Sequence, residues 1–164
     1  ITYILKLKNN SKISKYVTNK KKSLAIRFPK HKAFKKLLKK LDYPLAAPSA
    51  NISSGISSVQ ASDVKEEFGS KIEYVLDGGR CKIGVESTII NLKHKPTILR
   101  LGGLDISKIE KVLGKKIKLD NNPKKKIAPG QSLLHYSPGI PLKKNVKKPK
   151  INEAFMLKKK KKIK

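Results

Sequence analysis

The chain has one cysteine, no tryptophan and few acidic residues. A lone Cys81 cannot form an intrachain disulfide or a thiolate metal cluster, so we expect a reducing, cytoplasmic setting and no structural metal. No apolar run approaches the roughly 20 residues that cross a bilayer, and the amino end lacks the pattern of a signal peptide. We therefore expect a soluble protein with no membrane partner.

Acidic residues are outnumbered so strongly that charge becomes a functional clue. The 164 residues contain 40 Lys and Arg against 11 Asp and Glu, a formal net charge of +29. Such an excess attracts polyanions through counterion release, which makes double-stranded RNA or tRNA a candidate partner. A coding sequence biased toward A and T produces the same lysine excess, and a lysine run is more often a solvated surface than a specific site. A non-catalytic, basic RNA-binding module therefore stays open as an alternative.

The hydrophobic pattern predicts strands that alternate with short helices. Strands are predicted at residues 1–7, 23–28, 44–47, 73–76, 87–92 and 97–100. Helices are predicted over an apolar face that begins at Ala33, over residues 61–68 with a stop at Gly69, and from a cap at Asp105 to a stop at Gly114. This order favours an α/β domain over residues 1–114, with α+β as the alternative. Prolines and the loss of periodicity predict a linker at 115–150, and residues 151–164 read as the start of a second domain.

Small polar side chains stand at several predicted chain reversals. Ser49 and Asn51 follow Pro48, and their hydroxyl and amide groups suit a phosphate or a carboxylate, although they could equally satisfy their own turn. Arginine is rare in this lysine-rich chain, yet Arg27 and Arg100 stand at two strand ends. Their planar forks are suited to bidentate anion binding, with a structural salt bridge as the alternative. The three histidines are too far apart in sequence to predict a catalytic pair or a metal site.

The chain contains an ordered set of short motifs: Ser23-Leu24-Ala25-Ile26-Arg27-Phe28-Pro29, Ala46-Ala47-Pro48-Ser49-Ala50-Asn51, Ser57, Asp77-Gly78-Gly79, Gly84-Val85-Glu86-Ser87-Thr88, Ile98-Leu99-Arg100 and His135-Tyr136-Ser137-Pro138. Taken in order, these motifs closely resemble the YrdC-like family of threonylcarbamoyl-AMP synthases, in its longer, two-domain branch. The resemblance spans about residues 1–142 and implies a twisted mixed sheet flanked by helices. It also implies a nucleotidyltransferase that converts L-threonine, bicarbonate and ATP, with Mg²⁺, to threonylcarbamoyl-AMP and pyrophosphate, and whose product feeds a downstream tRNA threonylcarbamoyl transferase complex.

The resemblance also implies roles for individual residues. Arg27 and Ser87 would bind threonine, and no protein nucleophile would take part. Adenylation depends on positioning and charge neutralisation rather than on covalent catalysis. Two further residues, from the predicted linker, would close over the pocket as a lid that excludes water. The residues implied for the ATP site, ending with those two lid residues, are Ser23, Ala47, Ser49, Asn51, Ser57, Arg100, His135 and Tyr136.

The chain departs from the family pattern in two places, in the serine-rich loop and at the amino end. The chain has Ser57-Ser58-Val59 where the family usually has Ser-Pro-Thr, and the preceding glycine is displaced to Gly55. A Lys-x-Arg motif that grips ATP and threonine in the family would precede Ile1. We therefore expect a domain truncated at both ends, with unpaired sheet edges and no useful turnover on its own. Carbamoyl-transfer enzymes that contain a YrdC-like domain are a third reading, but their zinc-binding cysteines are absent.

Overall fold

The computed structural model describes residues 1–53, 55–120, 141, 143 and 145–154, which fold around a five-stranded mixed sheet. The sheet order is β2-β1-β3-β4-β5. The pairs β1–β2 and β3–β4 are antiparallel, whereas β1–β3 and β4–β5 are parallel. This sheet and its helices confirm the predicted α/β class. The strands are β1 (Thr2–Lys6), β2 (Ser23–Arg27), β3 (Ile89–Asn91), β4 (Thr97–Arg100) and β5 (Lys118–Leu119).

Four short α-helices accompany the sheet: α1 (Lys15–Thr18), α2 (Lys32–Leu38), α3 (Ala61–Phe68) and α4 (Ile106–Leu113). The last three lie where the apolar spacing predicted them, because their ends carry local signals. Asp105 caps α4 by accepting a hydrogen bond from the Ser107 N–H at 2.9 Å, and Gly114 ends it with φ 65°. Within the described part of the chain, none of these helices has the length and apolar character to cross a membrane.

The core is two small apolar layers, one on each face of the sheet. Ile4, Ile89 and Leu99 form one layer, and Ile90 and Ile98 form the other together with Ile109 of α4. Successive side chains of a strand point to opposite faces, so neighbouring β3 residues serve different layers. Because β3 and β4 are packed on both faces, the segment just before β3 and the segment just after β4 are held in position by the core.

Two predicted strands are wrong, and one strand was missed. Residues 44–47 do not pair with the sheet, because the flanking Pro44 and Pro48 lack N–H donors, and Leu45 is exposed. Residues 73–76 also lie outside it, and Tyr74 points to solvent. Conversely, β5 lies inside the segment predicted to be linker and pairs with β4. The strand β5 has only two residues, and both are exposed. It therefore produces no hydrophobic period in the sequence.

Candidate functional site

The Ser87 hydroxyl lies at the centre of a polar cluster where β1, β3 and β4 meet. Its Oγ is 2.6 Å from Thr2 Oγ1 and 3.4 Å from Arg100 Nη2. Arg100 also donates from Nε and Nη2 to the Ser87 carbonyl oxygen, at 3.1 and 2.9 Å. The guanidinium thus fixes the backbone of Ser87 while its outer edge borders the hydroxyl.

A β-bulge explains how Arg100 reaches back to this position. Ile89 pairs with Arg100 and Ile90 pairs with Ile98, so Leu99 is one extra residue on β4. Such a bulge increases the local twist and redirects side chains, and bulges are common next to active sites. Leu99 is only 2% exposed, so the core holds the bulge in place.

Arg27 comes next to this cluster through the pairing of β1 with β2. It is the last residue of β2, lies opposite Thr2 in the register and is exposed. Side chains directly opposite each other in an antiparallel pair share a face, with Cβ atoms about 5 Å apart. The structure therefore brings Arg27, Ser87 and Arg100 to one end of the sheet, and this end can receive an anionic group such as a carboxylate or a phosphate.

The loop of residues 49–58 is attached to the same region. Ser57 Oγ donates a short hydrogen bond to Glu86 Oε1, next to Ser87. Ser58 Oγ donates to the Ala50 carbonyl oxygen at 2.7 Å, and the Asn51 amide donates to the carbonyl oxygen of Ile52 at 2.8 Å. Asn51 Oδ1 is buried with no hydrogen-bond partner among the described residues. The amide group thus satisfies its own turn, as the structural alternative held, while the oxygen is left for another donor or a cation.

Carboxylates of α3 hold both ends of this loop. Asp63 accepts from the N–H groups of Val59 at 2.9 Å and Gln60 at 3.2 Å. The Val59 hydrogen bond is the main reason that the pKa of Asp63 lies below its ordinary value. Glu67 Oε1 accepts from the Ile52 N–H at 2.5 Å. Hydrogen bonds therefore define the geometry of the loop at several points around the departures at positions 55–59.

A cavity of about 450 Å³ lies between the loop and the residues that adjoin Ser87 and Arg100 in the sequence. Gly102 is essential to its shape, because a Cβ there would lie 2.3 Å from the Thr88 nitrogen and 2.4 Å from the Glu86 oxygen. The backbone approach is thus too close for any other residue without a rearrangement. The cavity is lined by Ile56, Ser57, Gly84, Val85, Glu86, Leu101 and Gly102.

Other predicted site residues lie apart from this cluster or outside the described chain. Ser23 pairs with Lys6 at the opposite end of β2, about 13 Å from Arg27 at 3.3 Å per residue. Ala47 and Ser49 are exposed in the segment that leads into the loop. His135 and Tyr136 lie outside the described residues, so their lid role stays a prediction.

Sequence reasoning missed Thr2, which contacts Ser87 through its hydroxyl and lies opposite Arg27 in the pairing of β1 with β2. Nothing local marks a threonine near the start of an alternating strand, and Ser87 is 85 positions away. Glu86 belongs to a motif that was singled out, but its partner Ser57 could not be deduced. Of the two histidines in the described part of the chain, His31 caps α2, and both His31 and His94 are exposed.

Comparisons with known proteins agree with this arrangement. A family model for Sua5, YciO and YrdC proteins, described as "Telomere recombination", matches residues 1–102. The threonylcarbamoyl-AMP synthase of Pyrococcus abyssi is 40% identical over 140 residues, which is 82% of this chain and 41% of that protein. The protein of the same name from Bacillus subtilis is 37% identical and is matched over 87% of this chain and 42% of its own length. The chain thus spans about two fifths of these curated relatives.

Solved structures show the same fold. The crystal structure of P. abyssi Sua5 complexed with L-threonine superimposes with a TM-score of 0.74 and 38% identity, over 83% of this chain and 41% of that one. A variant of the P. abyssi protein, in which a consecutive histidine and tyrosine are replaced by alanine, gives a TM-score of 0.70 at 38% identity, over 82% of this chain and 40% of that one.

Proposed function

Because the chain belongs to the Sua5, YciO and YrdC family, we propose that it carries threonine and nucleotide contacts of an L-threonylcarbamoyladenylate synthase. The substrates would be L-threonine, bicarbonate and ATP, and the products threonylcarbamoyl-AMP and pyrophosphate. The observation that carries the proposal is the meeting of Arg27, Ser87 and Arg100 at one end of the sheet.

The threonine contacts follow from the chemistry of that end of the sheet. The exposed guanidinium of Arg27 can take a carboxylate through two parallel hydrogen bonds. The Ser87 hydroxyl is held in place by Thr2 and is close enough to contact the same amino acid. A relative of 38% identity was crystallised with L-threonine, which supports this choice of substrate.

The nucleotide contacts would come from the other side of the cluster. Arg100 supplies positive charge, and Ser57 and Asn51 supply polar groups from the loop. Mg²⁺ would enter as its complex with ATP, and the Asn51 oxygen, which has no partner among the described residues, is of the ligand type that this ion accepts. Ala47, just before the loop, and Ser49, at its start, would also contact ATP. To reach Ser23 as well, the ATP molecule would have to lie along β2.

The reaction needs these groups for positioning and electrostatics. The threonine nitrogen and bicarbonate give a carbamate with loss of water. A carbamate oxygen then attacks the α-phosphorus of ATP, the bond to the β-phosphate oxygen breaks, and pyrophosphate leaves with the electron pair. Fixed guanidinium groups and hydrogen-bond donors stabilise the charge that develops on the phosphoryl oxygens. His135 and Tyr136, on the predicted linker of residues 115–150, would close the site against water.

The cellular setting belongs to the same proposal. The product would serve a tRNA threonylcarbamoyl transferase complex in the cytoplasm. Residues 1–114 would form the carboxyl-terminal portion of the catalytic domain, and residues 151–164 would begin the second domain.

The test is a nuclear magnetic resonance titration of the ¹⁵N-labelled chain with L-threonine. We expect amide shifts around Ser87 with L-threonine, weaker shifts with L-valine, and none with threoninol, which lacks the carboxylate. Arg27→Lys should lower threonine affinity at least tenfold, because a lysine cannot form the bidentate contact. Arg80→Lys is the matched control, since the Arg80 guanidinium contacts Gln60 away from the cluster. Equal affinity of the two variants, or no binding by the unaltered chain, would refute the threonine site.

A second assay measures pyrophosphate release from Mg-ATP with threonine and bicarbonate. We expect no useful turnover from this chain alone, as the family's Lys-x-Arg motif is not within it. Robust turnover that needs both co-substrates would support the synthase assignment and contradict the expectation of an incomplete site.

A further inference from the structure

The positive charge is distributed very unevenly along the chain. Residues 1–41 contain thirteen lysines and one arginine but no aspartate or glutamate, whereas residues 42–114 contain nine basic and nine acidic residues. A coding bias toward lysine acts along the whole sequence. By itself it does not explain why residues 1–41 carry only positive charges while residues 42–114 carry equal numbers of positive and negative charges. The charge near the start of the chain therefore needs a local explanation.

Seven of these lysines gather around the connection between β1 and β2. The Leu7 N–H donates to the Lys22 carbonyl oxygen at 3.1 Å, and Lys20 N–H donates to the Lys15 carbonyl oxygen at 2.9 Å. Lys6 lies beside them through its pairing with Ser23. All seven are exposed, and no described acidic side chain forms an ion pair with any of them. The lysine cluster consists of Lys6, Lys8, Lys12, Lys15, Lys20, Lys21 and Lys22.

An aromatic side chain stands within the lysine cluster. Tyr16, in α1, is 90% exposed and is followed by the half-exposed Val17. An exposed aromatic ring among basic groups is the combination with which proteins bind unpaired bases, because the ring stacks on a base while cations contact the phosphates.

We propose that the lysine cluster and Tyr16 form a binding surface for a single-stranded stretch of nucleic acid. The lysines contact successive phosphates, and the Tyr16 ring stacks on an unpaired base. The surface lies at the Lys6 end of β1, whereas Ser87 contacts Thr2 at the other end, about 13 Å away. The nucleic acid can therefore be bound while Arg27, Ser87 and Arg100 remain accessible.

The experiment is fluorescence anisotropy with the whole chain and a labelled, unstructured 12-nucleotide RNA, measured from 50 to 300 mM KCl. The variant is Lys20→Gln, Lys21→Gln and Lys22→Gln together. Its matched control changes net charge equally through the exposed Lys95, Lys108 and Lys111, each to Gln. For single strands the slope of log affinity against log salt is about −0.7 per phosphate contact, so the first triple variant should flatten it by about 2. We also expect at least a tenfold loss of affinity at 100 mM KCl, against less than threefold for the control.

Tyr16→Ala tests the stacking contact separately. We expect about a fivefold or greater loss for the single strand, corresponding to the lower end of measured stacking contributions, and none for a duplex of the same length. Tyr16→Phe keeps the ring and should bind as the unaltered chain does. Circular dichroism verifies that each variant is folded.

Four outcomes would overturn the proposal, and three of them concern the choice of ligand and site: equal losses for the two lysine triples, duplex bound as tightly as single strand, or tighter binding to vesicles of phosphatidylcholine and phosphatidylserine than to the RNA. Displacement of the RNA by an equal concentration of Mg-ATP would place the cluster in a nucleotide site and also refute it. Single-stranded DNA in place of RNA should bind in the same manner. The threonine titration is independent of these measurements, so the two proposals can fail separately.

Discussion

Replacing Gly102 by alanine should disrupt the site more than its position in a short turn suggests. The added Cβ would lie 2.3 Å from the Thr88 nitrogen, 2.4 Å from the Glu86 oxygen and 2.7 Å from the Ser87 carbonyl carbon. All three are backbone atoms, so no rotation of a side chain relieves the contact. Moving the nearest pair to 3.0 Å requires a displacement of about 0.7 Å, and that displacement falls on the segment that carries Ser87.

The expected cost combines overpacking with lost hydrogen bonds. Overpacking typically costs about 1–3 kcal/mol. The displaced segment carries the Thr88 carbonyl oxygen, which accepts from Thr2 N–H at 2.8 Å, and the Thr88 side-chain hydroxyl, which accepts from Gly102 N–H at 3.1 Å. Weakening one of these bonds adds about 1 kcal/mol. We therefore expect Gly102→Ala to lower the free energy of unfolding by about 2–4 kcal/mol.

Gly103→Ala is the control, because it makes the same chemical change one residue along. Its Cβ would meet the Ile83 side chain, which is 65% exposed and free to adopt another rotamer. A glycine-to-alanine change also lowers the conformational entropy of the unfolded chain, which raises the free energy of unfolding. This contribution is the same for both variants and cancels when they are compared. Urea unfolding followed by circular dichroism measures the difference. If the two variants unfold within about 0.5 kcal/mol of each other, the close approach of Gly102 to residues 86–88 is wrong.

Three further predictions concern the lysine cluster, the caps and Ser87. Lys20→Gly should raise the free energy of unfolding by up to about 1 kcal/mol in urea unfolding, because Lys20 has φ 56° and glycine adopts this region without a steric penalty; no gain would contradict that strain. Backbone N–H groups hold the pKa of Asp63 and of Asp105 below 3.8, so their contribution is complete above the unfolded pKa and is lost as pH falls through the lower folded one. The double variant Asp63→Asn and Asp105→Asn should therefore lose less stability than the unaltered chain between pH 5 and pH 2.5, and parallel urea midpoints across that range would refute this. Thr2→Val should weaken L-threonine binding roughly three- to tenfold, the value of one hydrogen bond, by freeing the Ser87 hydroxyl; an unchanged affinity in the titration would show that Thr2 does not position Ser87.

The parts of the fold that the sequence predicted well are those with local signals. The helix α4 was predicted from its cap to its stop because Asp105 and Gly114 are chemically suited to those two positions. The boundaries of β4 were also correct, and the arginine that ends it stood out against the abundant lysines. These features need only neighbouring residues, so a single sequence contains them.

The parts that failed depend on residues distant in sequence. Residues 44–47 carry an apolar run that resembles a strand, but a strand exists only where another strand offers hydrogen bonds. For β5 the reverse holds, since β4 supplies the pairing that the sequence of β5 does not announce. The contact of Thr2 with Ser87, and that of Ser57 with Glu86, likewise arise only when the sheet assembles. The chemical groups of the site were therefore predictable, and their supporting partners were not.

The extra residue at Leu99 separates two tasks that a regular strand would combine. Ile98 is fully buried against Ile90, while Arg100, two positions later, reaches the Ser87 backbone. Substitutions that repack α4 against the sheet act on the layer of Ile98, whereas Leu99 packs in the opposite layer with Ile4 and Ile89. A domain built this way can vary the packing of α4 over evolutionary time while the arginine that ends β4 keeps its contact with the Ser87 backbone.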